Sequence, residues 1–87
     1  MLLGKVTGSV TSTVKADKLT GLKLLVVDVL GAGGSVQSAA RIAPDTVGAG
    51  VGDMVILTQG SAARMAAGLG TAPVDLAIIG IVDRVNT

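Results

Sequence analysis

Residues 22–30, LKLLVVDVL, set the hardest condition on any fold this chain can adopt. In a strand, alternate side chains point to opposite faces, so Leu24 and Val26 face one way and Leu25, Val27 and Val29 the other. A strand apolar on both faces has to be covered on both. Residues 74–85, VDLAIIGIVDRV, repeat the two-sided pattern, with Asp83 and Arg84 near their end. A chain of 87 residues buries only about 60–65 % of the surface its unfolded form exposes. It is too short to cover two such strands twice over. One cover is expected to be the core of a single domain spanning 1–87, and the other a neighbouring subunit.

Composition points the same way. Charged residues make up 15 % of the chain, where a soluble surface ordinarily carries roughly 25–35 %. Sparse charge leaves apolar surface to be shared with copies of the same chain. Histidine and cysteine are absent, which removes the commonest general base and metal ligand, any disulfide and any thiolate chemistry. The six acids are all aspartates, Asp17, Asp28, Asp45, Asp53, Asp75 and Asp83, and no two are close enough in sequence to form a dense metal site. No cofactor, metal or catalytic residue is therefore assigned, and an enzyme is not expected. The seven basic residues are scattered singly, with no run to follow a phosphate backbone. The longest apolar run, Leu76–Val82 with Gly80 included, is far below the ~20 residues that span a bilayer. MLLGKVTGS lacks the charged n-region of a secretory signal, so neither membrane nor export is expected and the location is read as cytoplasmic.

Along the chain, Lys5–Lys15 alternates almost strictly, with Val6, Gly8, Val10, Ser12 and Val14 on one face, the mark of a half-buried strand. Gly8 suggests a bend or a close approach of backbone. ADKLTG at 16–21 reads as a loop, LKLLVVDVL as the second strand, and Gly31–Gly34 as a hairpin turn. Ser35–Ala43 forms a weaker third strand ended by Pro44. VGAGVG at 47–52 is a turn or a close contact between backbones, and Asp53–Thr58 a fourth strand. Ser61 reads as the N-cap of a short helix, ended by Gly68 and Gly70. Pro73 stiffens the loop before the last strand at 74–85. Mostly β, with five strands and one short helix before the last, the pattern predicts a small five-stranded OB-like closed barrel. A two-sheet sandwich is the rival.

Three features invite a chemical reading. GAGVG resembles a nucleotide loop, but a dinucleotide fingerprint needs G-x-G-x-x-G leading into a helix. Here Asp53 stands at the last position and a strand follows. Ser61 has no histidine to activate it, so a cap is the better account than a nucleophile. Arg64 lies near the expected helix start, where the helix dipole does not favour a cation, so a partner is expected, either an aspartate of its own chain or a group across a subunit boundary. The OB-like layout raises a binding module for single-stranded nucleic acid or another ligand as the alternative function. Such sites use aromatic platforms in a basic groove, and this chain has no aromatic residue.

Four segments, taken in order, carry a specific likeness: MLLGKVTGSVTST at 1–13, KLLVVDVL at 23–30, VGAGVGDMVILTQGSAAR at 47–64 and PVDLAIIGIVDRV at 73–85. Together they resemble the EutN/CcmL family, the pentameric vertex proteins of bacterial microcompartments, including carboxysomes and ethanolamine- or propanediol-type metabolosomes. The resemblance runs nearly end to end. It implies an OB-like barrel assembled into a five-fold ring, a structural shell role without catalysis, and a place in the microcompartment shell in the cytoplasm. The implied partners are the chain itself, as a homopentamer, and the hexameric shell proteins of the same compartment. A shell tiled by hexagons stays flat, and pentagons let it close. By position, Gly48, Gly50 and Gly52 match the family's glycine turn, and Gly60, Ser61 and Arg64 its GSSAR element. Ala62 departs from that element, standing where the pattern has a second serine. These seven residues are the candidates for a subunit interface or an axial opening.

Overall fold

A computed structural model describes residues 1–11, 21–66 and 74–85 of the chain. Among them, β1 (Leu2–Val10), β2 (Leu24–Leu30), β3 (Val36–Pro44), β4 (Met54–Gln59) and β5 (Leu76–Ile81) form one antiparallel sheet in the order β3-β2-β1-β4-β5. A single short helix, α1 (Gly60–Ala66), precedes β5. The mostly-β layout and the helix before the last strand are as the sequence predicts.

The two-sided strand does what its pattern requires. Leu25, Val27 and Val29 of β2 enter the core beside Val6, Val55, Leu57, Leu76 and Ile78. Each such side chain, fully removed from water, contributes about 1.5–3 kcal/mol. The opposite face of β2, with Leu24, Val26 and Leu30, is only half-buried. Leu3 of β1 pairs with Leu30 and with Ile56, extending that outer apolar face across the sheet. α1 packs on β5 and β4.

β1 departs from strict alternation in an informative way. Val6 pairs with Val27, but the next pair is Gly8 with Val26, so Thr7 is an extra residue in the ladder. A one-residue slip sends every later side chain to the other face. Gly8 and Val10 therefore sit with Val26 and Leu24 on the outer face, opposite Val6. Gly8 marks a bulge; a methyl added there would meet Val26 no closer than 3.8 Å. The close approach lies at Gly4 instead, where a Cβ would fall 2.7 Å from Leu57 Cδ1 and 3.1 Å from the Asp28 carbonyl oxygen. β1 also begins earlier than Lys5, because Leu2–Lys5 pair with β4 and Leu2 packs on the core.

The sheet itself is not closed. Among the described residues its outer strands share no ladder, and an isolated parallel bridge joins Asp45, one residue beyond β3, to Ile78. β3 is irregular at two places. Ala40 is in the left-handed region (φ 55°) and donates its N–H to Asp28 Oδ1 at 3.0 Å, breaking the β2–β3 register. Pro44, the last residue of β3, has no N–H to give to a ladder. The joining falls to Thr46, whose N–H and Oγ1 both donate to the Ile78 carbonyl, at 3.3 and 2.7 Å. An ion pair between Arg41 and Asp75 at 3.6 Å spans the same gap. With Asp75 largely exposed, it contributes less than about 1 kcal/mol.

The turn after β2 is glycine-built, as expected: Gly33 and Gly34 have φ of 73° and 82°. The last strand stops at Ile81 rather than Val85, with one further bond from the Val82 N–H to the Met54 carbonyl. The expected strand positions 12–15, the loop at 16–20, and Gly68, Gly70 and Pro73 lie outside the described residues.

Candidate functional site

The seven candidate residues fall on two elements flanking β4. Gly48, Gly50 and Gly52 belong to the loop between β3 and β4, and Gly60, Ser61, Ala62 and Arg64 to α1. β4 has six residues, and at roughly 3.3 Å per residue the two groups stand about 20 Å apart along it. They do not form one pocket. They are two separate surfaces, held at fixed distance by a strand buried in the core.

The loop is built as an anchored projection. At its start, the Asp45 side chain is almost fully buried; its Oδ1 accepts the Val47 N–H at 3.0 Å and its Oδ2 lies 3.7 Å from Lys23 Nζ. Lys23 Nζ also donates to the Ala49 carbonyl at 2.7 Å, strapping the loop to the start of β2. At its end, Asp53 Oδ2 accepts the Gly50 N–H at 2.9 Å, and the Asp53 N–H returns to the Gly50 carbonyl at 3.0 Å. The Gly52 N–H donates to Val6 and the Val6 N–H to Asp53, both at 2.9 Å. Ala49 is fully buried in the core between these ties, while Val47 and Val51 are exposed. Gly48 and Gly52 adopt φ of 80° and 94°, a conformation that L side chains rarely take. Gly50 has no such requirement, and a methyl there would meet nothing of its own chain within 4 Å. The turn, not a close approach within the protomer, accounts for two of the three glycines.

α1 begins at Gly60, whose φ is 63° and whose N–H donates to the Asp75 carbonyl at 2.9 Å. Ser61 is accordingly inside the first turn rather than the N-cap, and it is exposed with Ala62. Ala63 is the buried residue of the helix and packs on Val74 and Ala77. Arg64 is half-buried and lies in the last described turn. It is the fifth of the seven residues described in α1. No ion pair to it is formed among the described residues. Met65 beside it is 75 % exposed.

One further surface emerges that sequence reading did not single out. An apolar groove of about 350 Å³ lies between Leu3, Leu30, Met54, Val85 and the glycine turn at 31–34. Its walls come from four separate stretches of chain, so no single motif could have signalled it. Lys23 and Thr46 were missed as well; Asp45, after the strand-ending Pro44, caps the turn that follows, as its residue type and position in the sequence allow. None of these surfaces carries reaction chemistry. Among the described residues no three Asp side chains gather into a metal site, and no described helix is long and apolar enough to cross a membrane.

Comparison with known proteins gives a uniform result. The family model described as ethanolamine utilisation protein EutN/carboxysome matches residues 1–83. The chain is 45 % identical over 86 residues to the carboxysome shell vertex protein CcmL of Synechocystis sp., covering 99 % of this chain and 86 % of that protein. It is 44 % identical over 85 residues to the bacterial microcompartment shell vertex protein EutN of Salmonella typhimurium, covering 98 % and 86 %. Among solved structures, the pentameric microcompartment shell protein GrpN of Rhodospirillum rubrum superposes with a TM-score of 0.87 at 45 % identity, covering 100 % of this chain and 99 % of that one.

Proposed function

This chain belongs to the EutN/CcmL family and is a structural vertex protein of a microcompartment shell rather than an enzyme; we propose that its pentamers sit among hexameric shell proteins and turn a flat layer into a closed one. The observation that carries the reading is the likeness, over the whole chain, to a pentameric shell protein. The physical design agrees with it. A five-fold ring presents the same two surfaces on every subunit, each meeting the other around a closed circle. The outer sheet face supplies apolar area for such contacts, and the two-sided strands supply the reason a single copy leaves it half-covered.

Within that ring, Gly48, Gly50, Gly52, Gly60, Ser61, Ala62 and Arg64 form the contact and axial surfaces. Their arrangement on two rigid elements at either end of β4 suits a subunit that touches neighbours on different flanks. Gly50 is the sharpest case, since nothing among the described residues of its own protomer requires glycine there. Ala62 gives any axial opening a methyl where the GSSAR pattern that this stretch resembles has a serine hydroxyl, making that rim less polar. The chain makes no contact with nucleic acid in this role; its scattered basic residues and lack of aromatics support that. Native mass spectrometry at micromolar protomer concentration tests the assembly. A five-subunit ion series is expected, and a monomer or a ring of another size overturns it. Mixing the ring with flat sheets of hexameric shell protein tests the partner: closed, curved particles are expected, and unchanged sheets overturn it.

A further inference from the structure

Resting on the pentamer reading, we propose that the apolar groove between Leu3, Leu30, Met54 and the Gly31–Gly34 turn is the socket of the ring contact, and that it receives Met65 from α1 of the neighbouring copy. The groove is lined wholly by aliphatic or glycine positions. Small-molecule sites carry a few placed polar side chains that fix the ligand's orientation, and this groove has none. Its ~350 Å³ is roughly twice the volume of an apolar cavity that holds a benzene ring, room for one or two bulky side chains. It holds no charge to match a charged partner.

The chain carries its own complement. A ring contact between unlike surfaces needs a socket and a projection on different flanks of each subunit. Met65 is the most exposed large apolar side chain described after the terminal Met1. It stands on α1, at the far end of β4 from Met54, which floors the groove. The next most exposed candidates are placed less well: Val51 belongs to the loop leading into Met54, and Val36 lies two residues past the turn that rims the groove. A methionine thioether is unbranched and adapts to an irregular cleft, and here it would lie against Met54.

The absence of cysteine from the chain makes a clean test. Ala32→Cys, on the exposed rim of the groove, is combined with Met65→Cys and the ring is treated with a short bis-maleimide. Under denaturing conditions the double variant is expected to run as a covalent ladder ending at five, while each single variant stays at one. A five-subunit ring by native mass spectrometry that gives no ladder overturns the socket assignment and leaves the pentamer reading standing. A wild-type chain that forms no ring overturns the pentamer reading, and the socket with it. Met65→Asp is expected to raise the concentration at which the ring dissociates by roughly ten-fold or more, with Thr11→Asp, at an exposed position beyond the end of β1, unchanged. Equal effects of the two also overturn the assignment.

Discussion

Alanine substitution at Gly48, Gly50 and Gly52 separates what the loop needs for its own fold from what it offers to a neighbour. Gly48 and Gly52 hold φ of 80° and 94°. An L side chain in left-handed backbone costs roughly 1–2 kcal/mol, offset by about 0.4–1 kcal/mol from the stiffer unfolded chain. The net loss is of order 1 kcal/mol at each, or about 4–8 °C in the midpoint for a domain of this size. Gly50 is outside that region and its added methyl meets nothing within 4 Å. Gly50→Ala should therefore stabilise the protomer by a few tenths to 1 kcal/mol, yet weaken the ring if a neighbour packs over the loop. Because assembly makes the midpoint depend on concentration, thermal unfolding is followed over a hundred-fold range of protomer concentration beside native mass spectrometry. Expected are lower midpoints for Gly48→Ala and Gly52→Ala at every concentration. For Gly50→Ala the midpoint should be raised at low concentration and the ring less persistent. A Gly48→Ala chain as stable as wild type refutes the backbone argument, and a Gly50→Ala ring as persistent as wild type removes Gly50 from the interface.

Two further substitutions probe the framework that carries these surfaces. Gly4→Ala places a methyl 2.7 Å from the tip of Leu57, which is fully buried, and overpacking of this kind costs about 1–3 kcal/mol. Gly8→Ala, with 3.8 Å of clearance, should be close to neutral, so urea unfolding that finds the two variants equal contradicts the close approach of β1 to β4. Asp45→Ala removes the acceptor of the Val47 N–H and the partner of Lys23, and should cost about 1–3 kcal/mol. Asp45→Asn keeps one oxygen for Val47 and should lose less, with hydrogen exchange at Val47 reporting whether the loop start has come free.

What could be read from the sequence divides along a physical line. Leu24–Leu30 announced both its faces because a strand's period of two is a property of the strand alone. The glycine turn at 31–34 and the helix before β5 were likewise local. The face on which Val10 lies was not, because it depends on the slip at Thr7, and a slip is settled between two strands rather than within one. The start of α1 was legible to within one residue: it begins at Gly60, whose N–H is bonded to the Asp75 carbonyl from beyond the helix. The groove lies further still from local reading, assembled from Leu3, Leu30, Met54 and Val85. Two-sided strands in a short, sparsely charged chain establish that a second cover is needed, since that follows from area and charge. Where the cover sits follows from registers and crossings, which only the assembled sheet displays. In the proposed ring, the candidate residues taken from motif likeness, Gly48 to Arg64, are assigned to two ends of a contact surface, and the aliphatic groove between β1, β2 and β4 to the part that no motif encodes.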